Sequence, residues 1–70
     1  MKIEKLNKSY YVFDGNEEIG SFQLDSDGYY YFWENSELTG CWTAYDLREI
    51  AELLDEVNEP YNTFVKENLK

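Results

Sequence analysis

The 70-residue sequence has no histidine, which removes the commonest acid–base catalyst and with it most zinc sites and nucleophile–base pairs. No metal site, no cofactor and no enzymatic activity are expected. Its single cysteine, Cys41, rules out an internal disulfide and reads as a small core side chain, because no basic neighbour stands beside it to lower its pKa. No signal peptide and no run of about 18 apolar residues is present, so a soluble, cytoplasmic protein is expected. None of the four glycines sits in a Lys-containing cluster ahead of a helix, the arrangement that cradles phosphate. Positive charge is the scarcest property in the middle of the chain: from Asp14 to Glu59 there are thirteen carboxylates and one base, Arg48.

What is present is acid and aromatic. The net charge is −9, with 43% hydrophobic and 19% aromatic residues, too many large side chains for a disordered segment of this charge. Carboxylates within a Debye length of roughly 8 Å repel one another, and folding alone does not call for that. Direct binding to nucleic acid or to an anionic membrane needs clustered Lys and Arg, and the Lys2, Lys5, Lys8 trio is too short to supply it. The imbalance calls instead for a positively charged protein partner.

A single α+β domain is expected: a three- to four-stranded antiparallel meander, one main helix packed on it, and a short C-terminal helical segment. After a charged lead-in, strands are predicted over about 10–14, 18–24, 29–34 and 38–42. Asp14-Gly15-Asn16 closes the first hairpin, and Asp25-Ser26-Asp27-Gly28 the second, with Gly at the position of positive φ. That acidic tetrapeptide matches a calcium loop only in its opening positions, since its Gly comes too early and no Glu follows at the twelfth. Thr43 and Asp46 approximate a capping box, and Leu47, Ile50, Ala51, Leu54 and Val57 recur at helical spacing, so a helix is predicted over about 44–58. Pro60 is expected to end it, with Tyr61, Phe64, Val65 and Leu69 forming a short helix over about 61–68.

Pairing Asp25 with Tyr29 puts Phe22, Leu24, Tyr30 and Phe32 on one side of the sheet, and counting back from the first loop adds Tyr11 and Phe13 there. The helix is expected on that side. The other would then hold Tyr10, Val12, Ile19, Ser21, Gln23, Tyr29, Tyr31, Trp33 and Trp42. Three covers for it are open: the tail from Tyr61 to Leu69 folded back, a second copy, or another protein anchored on Tyr and Trp. A one-residue slip in register would exchange the two faces.

Glu49, Glu52, Glu56 and Glu59 follow at spacings of three and four, one row along the exposed side of the helix at steps of about 5 Å, with Asp55 beside it. A solvated helix face explains part of this. However, like charges in the row cost roughly 0.2–0.5 kcal/mol per pair, and carboxylates near a helix C-terminus cost a few tenths of a kcal/mol more. With Asp14, Glu17, Glu18, Asp25, Asp27, Glu34 and Glu37 in the turns, the row imitates a phosphate backbone. In size, charge and lack of catalytic groups the chain resembles the small acidic inhibitors that bacteriophages and other mobile elements direct against nucleic-acid-binding enzymes. The resemblance implies a non-enzymatic inhibitor or regulator, acting in the host cytoplasm if phage-encoded, that occupies a basic, nucleic-acid-handling surface of a partner. Glu34, Glu37, Glu49, Glu52, Asp55, Glu56 and Glu59 are the candidate acidic contacts, and Tyr29, Tyr31, Trp33 and Trp42 the aromatic ones. The alternative is a small accessory protein that forms a homodimer through its aromatic sheet face and is acidic only for solubility.

Overall fold

Two tight loops in the first half of the chain each place one residue at positive φ, Asn7 at 58° and Gly15 at 64°. Both are first central residues of two-residue loops, as in the type II′ turns that match strand twist. They connect β1 (Lys2–Leu6), β2 (Ser9–Asp14) and β3 (Glu17–Leu24). The Asp25-to-Gly28 turn then leads into β4 (Tyr30–Glu34), completing an antiparallel sheet in the order β1-β2-β3-β4. The computed structural model describes residues 1–35 and 42–68. The fold is thus α+β, with the sheet followed by one helix, α1 (Ala44–Asn68). The strand expected over 38–42 and Cys41 lie outside the described residues, save Trp42, which is not in a strand.

β1 is a strand where a charged lead-in was expected. Its pattern is dominated by Lys2, Glu4 and Lys5, with Ile3 alone turned to the core, the composition by which an edge strand resists pairing with other chains.

The helix starts where the capping box predicts. The Thr43 hydroxyl accepts the Asp46 backbone N–H at 3.1 Å, while the Asp46 carboxylate accepts the Thr43 backbone N–H at 3.0 Å and its hydroxyl at 2.9 Å. It does not stop at Pro60, which lies inside a continuous 25-residue helix. Pro60 removes one donor, the N–H that would reach the Glu56 carbonyl, yet Val57, Tyr61, Phe64 and Val65 keep the apolar face going past it. The separate short helix is accordingly replaced by the second half of α1.

Registers on both sides of β3 decide what the helix covers. Phe22 opposes Phe32 and Leu24 opposes Tyr30, as expected. Between β2 and β3 a bulge intervenes: Phe13 opposes Glu18 but Val12 opposes Gly20, leaving Ile19 unpaired. From there Tyr11 meets Ser21 and Tyr10 meets Phe22, a slip of one residue that exchanges the faces of β2. Tyr10, Val12 and Ile19 therefore lie on the helix side, and Tyr11 and Phe13 on the open side, the reverse of the expected assignment. The core is Val12, Ile19, Phe22 and Ile50, with Met1, Ile3, Tyr10, Tyr30, Phe32, Trp42, Leu53, Leu54 and Val57 packed around it. Gly20 is required beside it, because a Cβ there would lie 2.4 Å from the Trp33 carbonyl oxygen and 2.6 Å from the Phe32 ring.

The lower half of α1 is tied to β4 and its preceding turn. Tyr61 packs edge-on against Tyr29 with centroids 4.9 Å apart, and it fills the space where Gly28, at φ 91°, would otherwise carry a side chain. The tail up to Asn68 consequently does not fold back over the open sheet face.

Candidate functional site: two opposed surfaces

At about 3.6 residues per turn, the residues of α1 that reach the core, Ile50, Leu53, Leu54 and Val57, fix the outward direction of the rest. Glu52, Asp55, Glu56 and Glu59 point away from the sheet and are exposed, and Glu49 is half-buried at one border of the same row. The ion pairs among the described residues are Met1 amino to Glu49 at 3.4 Å and Lys2 to Glu4 at 3.8 Å, so the other four acids of the row have no cationic partner there. Tyr45 stands on the same side, its hydroxyl pKa raised by a hydrogen bond with Glu49 and by that carboxylate's charge. Asp55, Glu56 and Glu59 are mid-helix and not at its C-terminus, where the last turn carries Lys66. The expected dipole penalty on them thus disappears, and the cost that remains is like-charge crowding along the row.

The second surface is the open sheet face, built by register. Across its middle, Glu4 of β1 opposes Tyr11 of β2, Tyr11 opposes Ser21 of β3, and Ser21 opposes Trp33 of β4. Ser21 is 7% exposed, a small floor between two rings, and its hydroxyl accepts the Gln23 amide at 3.0 Å. Trp33 and Leu6 are each 61% exposed and Tyr31 is 44% exposed. Toward β1 the face dips into a shallow recess of about 280 Å³ lined by Glu4, Lys5, Leu6, Tyr11, Phe13 and Glu18.

At the β3–β4 end of this face the Tyr31 hydroxyl donates to the Asp27 carboxylate. That bond, followed by the Tyr29 backbone N–H at 2.8 Å, lowers the Asp27 pKa, and the same carboxylate raises that of Tyr31.

The expected site residues are consequently divided. Tyr31 and Trp33 share the open face, whereas Tyr29 packs on Tyr61 of the helix, and Trp42 packs at the core with its indole N–H donating to Glu34 at 3.3 Å. The acidic row of α1 and the aromatic face of the sheet look in opposite directions from a two-layer molecule, so one flat partner surface cannot cover both. Glu37 lies outside the described residues. Tyr11, Phe13, Glu4 and Glu18 are surface contributors that sequence reasoning missed: the expected register hid Tyr11 and Phe13, Glu18 stood among the turn acids, and Glu4 in the charged lead-in; the unequal lengths of the strands expected over 10–14 and 18–24 were the signal available for a bulge. No protein-family model, curated protein or solved structure matches the chain.

Proposed function

We infer that the chain is a non-enzymatic acidic binding protein whose helix α1 covers a basic surface of a partner protein, one that handles nucleic acid. The observation that carries this reading is the outward row Glu52, Asp55, Glu56 and Glu59 on a continuous helix, with Glu49 at its border. From Glu49 to Glu59 the five carboxylates span about 15 Å of helix rise, a mean step of roughly 4 Å, near the axial rise of about 3.4 Å per phosphate of one duplex strand. A track of Lys and Arg that grips phosphates would accept such a row, and the protein would act by occupying it.

The test is capture from a cell lysate by the wild-type protein and by the Glu52→Lys, Glu56→Lys double variant, compared between about 50 and about 500 mM salt. Basic nucleic-acid-binding proteins should be retained by the wild type at low salt, released as salt rises, and bound at least about tenfold more weakly by the variant. Capture that is indifferent to both changes contradicts the reading.

A second reading, self-association through the sheet, is favoured by the exposure of Trp33, Leu6 and Tyr31 on one face. It requires a dimer in light scattering at micromolar concentration that Trp33→Ala breaks, and each copy brings a charge of −9 to the pairing.

A further inference from the structure

We propose that the open sheet face is a second cation-recognition surface, and that its recess seats an arginine side chain from an extended segment of a protein partner. Two carboxylates, Glu4 and Glu18, stand on the walls of a cavity whose remaining lining is Leu6, the rings of Tyr11 and Phe13, and Lys5. Aromatic faces attract cations through the ring quadrupole, and a planar guanidinium stacks on a ring while its edge N–H groups pair with a carboxylate. An ammonium can touch both groups only as a point charge, without the planar stack or the paired N–H edge.

The protein itself holds a cation at the border of this recess. The Lys2 ammonium lies 5.9 Å from the Phe13 ring centroid and 3.8 Å from the Glu4 carboxylate. Both groups of that ion pair are well exposed, 64% and 63%, so the pair is weak and an incoming guanidinium can displace it. Lys5 does not compete, because its ammonium lies 5.6 Å from the ring centroid of Tyr10, which belongs to the helix-side face.

Beyond the recess the same face runs from Tyr11 across Ser21 to the exposed Trp33, against which the apolar part of the same segment would rest. A second copy of this chain is the less suitable occupant: pairing sets −9 against −9, and the face offers carboxylates to carboxylates. The proposal extends the reading of an acidic binding protein to a surface that shares no residue with the helix row, so either can fail alone.

The experiment is a backbone and side-chain NMR titration with the peptide acetyl-Gly-Arg-Gly-Arg-Gly-amide and with its citrulline counterpart, which keeps the shape and loses the charge. Saturable shifts centred on Glu4, Tyr11, Phe13 and Glu18 are expected with the arginine peptide and none with citrulline. Glu18→Gln and Glu4→Gln, both exposed and conservative, should each weaken binding about threefold, the size of an exposed cation contact. The Glu52→Lys, Glu56→Lys variant should leave the location of the shifts unchanged. Shifts confined to α1, equal binding of citrulline, absence of saturable binding, or concentration-dependent shifts of the same face without peptide (a second copy already seated there) would each overturn the proposal.

Discussion

The side chain of Asn58 pairs with the backbone of Tyr30 as a neighbouring strand would. Its Oδ1 accepts the Tyr30 N–H at 2.7 Å, and its Nδ2 donates to the Tyr30 carbonyl at 3.1 Å. One helix residue thereby satisfies both groups that an edge-strand position turns outward, and joins α1 to β4 by more than apolar contact. Asn58→Ala removes both bonds from a partly buried site and should destabilise the fold by about 1–3 kcal/mol, lowering Tm by roughly 4–8 °C for each kcal/mol. A Tm within a degree of wild type would mean that water replaces the amide at no loss.

Gly20 opposes Val12 and lies under the Phe32 ring. Gly20→Ala should cost about 1–3 kcal/mol through displacement of that ring and of the β4 backbone, read by urea denaturation with an unchanged m value. Gly15→Ala, whose Cβ would meet nothing within 4 Å, suffers only the strain of positive φ and should cost about 1 kcal/mol.

Pro60 works against the helix it occupies. Pro60→Ala restores the bond to the Glu56 carbonyl and a favourable helix residue, so the variant should be more stable than wild type by about 1–3 kcal/mol, checked by thermal denaturation followed by circular dichroism. Destabilisation would show that the proline shapes the contact of Tyr61 with the β3–β4 turn.

The Asp27–Tyr31 pair predicts two pH limits. Asp27 titrates below its ordinary value of 3.8 when folded, so its contribution is complete above that value and is lost as pH falls through the folded pKa. Tyr31 titrates above its ordinary value of 10.0, so its contribution is complete below pH 10 and is lost as pH rises through the folded pKa. Tyr31→Phe should return the Asp27 carboxyl toward its ordinary value in an NMR titration. An unmoved titration would assign the Asp27 shift to the backbone N–H groups of Tyr29 and Asp27.

Most elements were legible because their signals are local. The Asp14 and Gly28 turns, the Thr43–Asp46 box and the apolar spacing of α1 each act within a few residues. The misses share a different cause. β1 buries one apolar side chain, so its period of two is hidden under charge. The bulge at Ile19 is a decision between two strands, invisible in either one, yet it moves Tyr11 and Phe13 to the open face and Tyr10 and Val12 into the core. Pro60 penalises a helix locally by an amount that the continued packing of Val57 and Tyr61 outweighs. The acidic row was legible from spacing alone, whereas the Glu4–Tyr11–Ser21–Trp33 line needed the register of three strand pairs.

α1 is about 37 Å long at 1.5 Å per residue, and its core-packing residues end at Val57. Past Tyr61 its apolar side is carried by Phe64, which stacks on Tyr61 and is 57% exposed, just beyond the point where Pro60 leaves the hydrogen-bond ladder one rung short. Amide exchange should therefore run in a gradient along one helix, slow around Ile50 and fast after Pro60. Limited proteolysis should trim the final turns while the sheet and the acidic segment stay intact.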